Sequence, residues 1–137
     1  MHNPWGILRR LGQWTFHLAP LPAGTFGLTD FSARTLTITT GLDQAQRRST
    51  LAHELEHGAR GPGGHPQREE LACDQAAARR LIAIRPLGEA IAWSHTLDEA
   101  ADELWVDRDL LDVRLAHLHP AERAYLKRRL EDGPSVA

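Results

Sequence analysis

Two histidines separated by three residues are the part of this sequence best suited to chemistry. His53 and His57 enclose Glu54 in the pattern H-E-x-x-H. On a helix, residues four positions apart lie on one face with Cβ atoms about 5–6 Å apart, so both imidazoles can bind one Zn²⁺ ion through bonds of about 2.0–2.1 Å. Glu54 lies off that axis, where its carboxylate can reach a water molecule beside the metal. The pattern therefore predicts a zinc site with an adjacent base.

The chemistry expected of such a site is hydrolysis of an amide bond. Zinc acidifies a water molecule and polarises a carbonyl group, and a neighbouring carboxylate can take the proton of the attacking water. A polar helix that binds no metal is the ordinary alternative, because the chain contains eight histidines. Chance matches to this pattern occur in on the order of a few per cent of such chains. The flanking sequence must decide between the two interpretations.

The sequence around the histidines is typical of a helix over Gln44–Ala59. Asp43 followed three residues later by Gln46 predicts a capping box at the helix N-terminus. The run G-P-G-G at 61–64 predicts the end of the helix. Apolar and small residues recur at helical spacing and predict one buried face, formed by Leu51, Ala52, Leu55 and Gly58. The histidine face is then expected to line a cleft.

A catalytic zinc ion needs a third protein ligand, and two residues compete for that role. Glu70 lies in a second predicted helix that begins at Pro66 and runs to about Ile84, with Asp74 one turn further along. This spacing favours Glu70 as ligand and Asp74 as the acceptor for the free N–H of a ligating histidine. His65 is the rival ligand because it follows the glycine-rich turn directly, but it does not match the metzincin spacing.

From about Phe26 to Leu81 the chain resembles the ImmA/IrrE family of metallo-endopeptidases, in the form without an appended sensor domain found in actinobacteria and their phages. The resemblance rests on T-L-T-I-T at 35–39, T-L-A-H-E-L-E-H at 50–57 and E-x-x-x-D-x-x-A-A-x-x-L at 70–81. It implies zinc as cofactor and a cytoplasmic protease that cleaves helix-turn-helix repressors of phage, integrative-element or stress genes. By motif it implies these roles: His53, His57 and Glu70 as zinc ligands, and Glu54 as catalytic base.

The chain departs from the family pattern in two places. The turn between His57 and Glu70 is short, and Asp74 stands where the family often has asparagine. Aspartate is the partner used by thermolysin-like zincins, so the prediction that Asp74 orients a ligating histidine is retained.

Length and composition predict a single zincin-like domain over residues 1–137, with an N-terminal segment (1–24), a hairpin and metal-site helices (25–84) and a C-terminal helical part (85–133). The sequence lacks a signal peptide pattern and an apolar run of transmembrane length, so we expect a cytoplasmic protein without a membrane partner. The one cysteine, Cys73, excludes an internal disulfide and is predicted to be a small buried thiol. A net charge of −2 gives no general attraction to nucleic acid.

The predicted fold class is α+β, a minimal zincin-like domain with a small, mainly antiparallel sheet packed on the H-E-x-x-H helix. A helix is possible over Ile7–Trp14, and strands are predicted over Thr25–Thr29 and Thr35–Thr40. In the second strand apolar residues alternate with threonines, which predicts one buried face. This strand is expected to pair with an extended substrate, to support the active-site helix, or to do both.

The C-terminal part is predicted to be helical over Leu87–Trp93, Leu97–Leu104, Arg108–Leu118 and from Pro120 onward, with Thr96 and Asp107 as N-caps. The segment Leu97–Leu115 also has the spacing of a helix-turn-helix, so a non-proteolytic antirepressor or DNA-associated regulator is the second hypothesis. Its second helix begins with the acidic run D-R-D at 107–109, which suits phosphates poorly. We therefore expect a helical buttress or a repressor-docking surface there, and no direct nucleic-acid binding.

One role at the predicted active site stays unassigned. A zinc peptidase usually needs a donor that stabilises the developing oxyanion. The sequence offers five candidates and does not rank them: His65, His95, His117, His119 and Tyr125.

Overall fold

The computed structural model describes residues 3–6 and 13–132 of the chain. Within these ranges the fold is α+β, as predicted. Residues 4–6 are helical, and three strands follow: β1 (Thr15–Leu18), β2 (Gly27–Asp30) and β3 (Thr35–Ile38). Six helices follow: α1 (Gln44–Arg60), α2 (Pro66–Leu81), α3 (Ile84–Trp93), α4 (Leu97–Leu104), α5 (Arg108–Ala116) and α6 (Pro120–Glu131). None of the described helices is long and apolar enough to cross a membrane.

The sheet is mixed, and the prediction of a mainly antiparallel sheet is wrong for one of its two pairings. The strand order is β1-β3-β2, with β2 antiparallel and β1 parallel to β3. β1 was not predicted at all. The parallel pairing is possible because the connection from β1 to β3 is long and contains β2, which lies on the other side of β3.

β3 is the central strand, which contradicts the expectation that Thr35–Thr40 pairs with a substrate. Both edges of β3 are already occupied, because Leu36 pairs with Phe16 of β1 and with Thr29 of β2. Its alternating pattern does bury one face, as predicted: Leu36 and Ile38 are fully buried. They pack against Leu51 and Leu55 of α1.

The H-E-x-x-H helix forms at the predicted place. The capping box is present, because Gln46 N–H donates to Asp43 Oδ1 at 2.8 Å and Asp43 N–H donates to Gln46 Oε1 at 3.0 Å. α1 ends at Gly61, whose φ of 82° favours glycine. Ala52 of α1 belongs to the second and larger apolar core, which α2 to α6 complete. α1 therefore contributes buried residues to both apolar cores.

The remaining element predictions hold with shifted boundaries. α2 stops at Leu81, before the predicted end near Ile84, and Pro86 lies in the first turn of α3, where a missing N–H costs little. Thr96 and Asp107 cap α4 and α5 as predicted. The possible helix over Ile7–Trp14 falls mainly on residues 7–12, which lie outside the described residues, and Trp14 itself is not helical.

Candidate metal centre

Three side chains from two helices converge at one point. His53 and His57 come from α1, and Glu70 comes from the second turn of α2. Glu70 Oε2 lies 2.9 Å from His53 Nε2, and Glu70 Oε1 lies 2.8 Å from His57 Nε2. The two Nε2 atoms are 3.1 Å apart. One ligand atom from each residue lies within 4.8 Å of the others, so the group could hold a metal ion.

Asp74 forms a hydrogen bond with the second ring nitrogen of His53, Nδ1. Its Oδ1 lies 2.7 Å from His53 Nδ1, so Nδ1 carries the proton and Nε2 is directed at Glu70. Burial lowers the pKa of His53, whereas the hydrogen bond and charge of Asp74, together with the charges of Glu54 and Glu70, raise it and determine the net direction. This is the arrangement that the sequence predicts for Asp74.

Glu54 lines a cleft together with His53 and Glu70, and a hydrogen bond from the sheet holds its side chain. Only 7% of the residue is exposed, and the Thr29 hydroxyl donates a hydrogen bond of 2.5 Å to Glu54 Oε2. The close approach of β2 depends on Gly27. A Cβ atom at that position would lie 2.8 Å from Glu54 Cγ and 2.8 Å from Thr50 Cγ2. Gly27 and Thr29 are the two site residues that sequence reasoning missed.

The rival ligand His65 and the single cysteine both lie outside the converging group. His65 is exposed at the N-cap of α2 and does not belong to the converging group. Cys73 is fully buried in α2, and burial raises the pKa of its thiol to about 12. A protonated, enclosed thiol is a packing group, as predicted.

His53 and Glu70 of this group line a cleft with a volume of about 440 Å³. One wall is the segment Gly24–Gly27, and the floor is α1 with Thr50, His53 and Glu54. The lining also includes Glu70 and Asp74 of α2 together with Asp107, Asp109, Leu110 and Val113. None of the five candidate oxyanion donors is among the described residues that line this cleft, so the geometry favours none of them for that role.

The helix-turn-helix-like segment is packed against the metal-site helices. Leu110 and Leu111 of α5 are buried in the larger core. Arg108, at the start of α5, is paired with Asp98 at 3.1 Å and with Asp112 at 2.9 Å. Burial raises the pKa of Asp107, whose carboxylate caps α5 at the edge of the cleft. The first turn of α5 therefore faces the candidate metal centre.

No family model, curated protein or solved structure matches this chain. The function proposed below therefore rests on the geometry of the site and on the sequence pattern.

Proposed function

We propose that the protein is a zinc-dependent endopeptidase of the H-E-x-x-H type. The observation that supports this proposal is the convergence of His53, His57 and Glu70, two of which line an open cleft together with the buried residue Glu54. Two imidazoles and one glutamate, with room for a fourth ligand, are the donor set of one class of catalytic zinc site.

Each residue of the group has a definite task in this proposal. His53, His57 and Glu70 would hold the zinc ion, which would supply a Lewis acid able to polarise the scissile carbonyl and to make water a better nucleophile. Glu54 takes a proton from the attacking water and then gives a proton to the leaving amine nitrogen. Thr29 orients the Glu54 carboxylate through its hydrogen bond, and Asp74 fixes the tautomer of His53.

The open edge of β2 is the proposed place for the substrate backbone. β2 is an edge strand that also contacts α1. Thr39 N–H donates to the Phe26 carbonyl, so by antiparallel alternation the backbone groups of Gly27 and Thr29 face away from β3. An extended peptide can pair with those groups and place a carbonyl near Glu54. This assignment replaces the one made for Thr35–Thr40.

A helix-turn-helix repressor is the proposed substrate, on the ground of the resemblance of residues 26–81 to the ImmA/IrrE family. Narrow specificity is expected of a peptidase with one short edge strand beside its metal site. The alternative, a non-proteolytic antirepressor or DNA-associated regulator, is supported less well. The first turn of α5 faces the cleft, and Arg108 is occupied by two aspartates.

The test combines metal analysis with cleavage assays on wild type and Glu54→Gln. Wild type should purify with about one zinc ion per chain, cut the repressor encoded nearest in its genome at one site, and cut casein weakly or not at all. Glu54→Gln should keep the zinc and lose cleavage, because only the base is removed. Loss of zinc from Glu54→Gln would contradict the role given to Glu54.

Two further outcomes separate the parts of the proposal. Rapid, unselective digestion of casein by wild type but not by Glu54→Gln would overturn the repressor assignment and leave the peptidase standing. Repressor inactivation by wild type and Glu54→Gln alike, without cleavage, would favour the antirepressor alternative.

A further inference from the structure

A second cavity lies at the N-terminal end of α1. Its volume is about 600 Å³, which falls in the range of about 300–1,000 Å³ typical of small-molecule sites. It shares no lining residue with the cleft of the candidate metal centre. Two indoles and two guanidinium groups dominate its wall: Trp5, Trp105, Arg47 and Arg48.

The charge of this wall is positive. Among the residues that line the cavity none is acidic, and the amides of Asn3 and Gln44 complete its polar surface. Arg48 is only 7% exposed, and its Nη1 donates to the carbonyls of Leu104 and Trp105 at 3.1 and 3.0 Å. These bonds fix the positive charge of Arg48 beside the cavity.

Arg47, the residue before Arg48 in α1, provides a second cation in the lining of the cavity. Its side chain is exposed, and it forms no ion pair with any residue in the described ranges. Guanidinium groups bind carboxylates and phosphates through paired hydrogen bonds. A negatively charged group in the cavity can therefore pair with the Arg47 guanidinium, and the positive charge of Arg48 adds to the attraction.

The aromatic part of the wall has an unusual backbone. Trp105 ends α4 in the left-handed conformation, with φ 58° and ψ 41°, at a position where glycine is the usual residue. Its indole is nevertheless 52% exposed, so burial in the core does not account for a bulky residue there. Trp5 is held more firmly, with its ring edge-on to Phe16 at 5.2 Å between centroids.

We propose that this cavity binds a small molecule that carries both a planar aromatic ring and a negatively charged group. The ring lies against the indoles of Trp105 and Trp5, and the anion pairs with Arg47, where the charge of Arg48 adds to the attraction. Stacking on indole and pairing with guanidinium reinforce each other in one ligand. This inference does not depend on the metal centre or on peptidase activity.

The first experiment titrates the full-length protein with four planar anions and follows tryptophan fluorescence and calorimetric heat. The probes are AMP, UMP, indole-3-acetate and salicylate, each compared with its uncharged counterpart: adenosine, uridine, indole-3-acetamide and salicylamide. At least one anion should bind saturably at one site, about tenfold or more tighter than its counterpart. Failure of all four anions to bind below about 1 mM, or equal binding of the uncharged partners, would overturn the proposal.

Four variants then locate the binding. Arg47→Gln and Trp105→Gly should each weaken the best probe by about tenfold or more, and Trp105→Gly should remain folded because glycine suits the left-handed backbone. Arg85→Gln and Trp93→Ala alter an exposed arginine and an exposed tryptophan outside the cavity and should leave affinity unchanged. Unchanged affinity in Arg47→Gln, with circular dichroism showing a folded protein, would reject the assigned site.

Discussion

Glu69 and Glu70 are neighbours in sequence and have different partners in the structure. Glu70 faces the two histidines, whereas Glu69 is held by Arg60 through bonds of 2.7 and 2.9 Å. We predict that Glu70→Ala weakens zinc binding by well over about tenfold, because two remaining ligands hold zinc poorly. Glu69→Ala and His65→Ala are the controls and should change it little. Competition against a chromophoric chelator measures the dissociation constants.

If His65→Ala proves as damaging as His53→Ala, the third ligand is a histidine and the resemblance to the ImmA/IrrE family loses its support. The structure gives a reason to expect the opposite result. His65 is exposed at the start of α2, five residues before Glu70, and does not belong to the converging group.

Asp74 touches the metal centre only through His53. Its removal in Asp74→Ala should lower zinc affinity or activity by about 10–100-fold, as loss of a partner to a ligating histidine does. Asp74→Asn should recover part of that loss, because its amide oxygen can still accept the Nδ1 proton. Equal defects in the two variants would mean that charge, and not the hydrogen bond, is what Asp74 contributes.

The sequence predicts the α-helical part of the site well because the necessary spacing is local. His53, Glu54 and His57 lie on one helix, and the spacing of Glu70 and Asp74 on the next helix indicates which side chains can act together. Thr29 could not be found in this way, since it reaches Glu54 across a gap of 25 residues. Its role depends on how β2 docks against α1, which no local pattern records.

At the scale of elements, the contact between β2 and α1 determines where the proposed base is held. We predict that Gly27→Ala destabilises the fold by about 1–3 kcal/mol and lowers peptidase activity, because the new Cβ would overlap Glu54 and Thr50. Gly58→Ala is the matched control within α1. Its Cβ would meet Trp14 only at 3.8 Å, so the change should stabilise the helix by up to about 1 kcal/mol. Urea unfolding distinguishes the two, and a destabilised Gly58→Ala would contradict this account.

The elements that sequence predicts correctly are those with local signals. The capping residues Asp43, Thr96 and Asp107 mark helix starts through bonds within one turn. β1 was missed because a strand of four residues is stabilised by pairing with β3, twenty positions further along. The same non-local pairing makes β3 the central strand and excludes Thr35–Thr40 as a substrate edge.

At the scale of the whole molecule, Glu122 joins three helices. Its carboxylate accepts hydrogen bonds from Arg114 of α5 at 2.5 and 3.1 Å and from Arg79 of α2 at 3.0 Å. Arg114, 2% exposed, also donates to the Ile82 carbonyl beyond the end of α2. The hydrogen bond from Arg114 is the main reason that the pKa of Glu122 lies well below its ordinary value of 4.5, although burial opposes the shift.

This carboxylate should make stability depend on pH. A depressed folded-state pKa stabilises the protein above the unfolded value of 4.5, and the contribution is lost as pH falls through the folded-state pKa. Glu122→Gln should therefore reduce the free energy of unfolding at pH 7 by about 3 kcal/mol, and the difference from wild type should shrink below pH 4.5. Urea titrations from pH 7 to pH 3 measure it.

Glu89→Gln provides the control for that comparison. The Glu89 side chain is 48% exposed, whereas that of its partner Arg129 is 10% exposed, so loss of the Glu89 charge should cost less than loss of the Glu122 charge. A gap between wild type and Glu122→Gln that stays constant down to pH 3 would show that ionisation of Glu122 contributes no stability.

Finally, the position of β1 in the sheet predicts that it protects the chain from self-association. It covers one edge of β3 over four residues, from Thr15 against Thr35 to Leu18 against Ile38. A chain that begins after β1 would keep every residue of the candidate metal centre, yet it would present a bare strand edge next to the apolar row of Leu36 and Ile38. Such edges recruit strands from other molecules. We therefore expect β1 to prevent aggregation. The shortened chain that begins after β1 should still bind zinc but should precipitate.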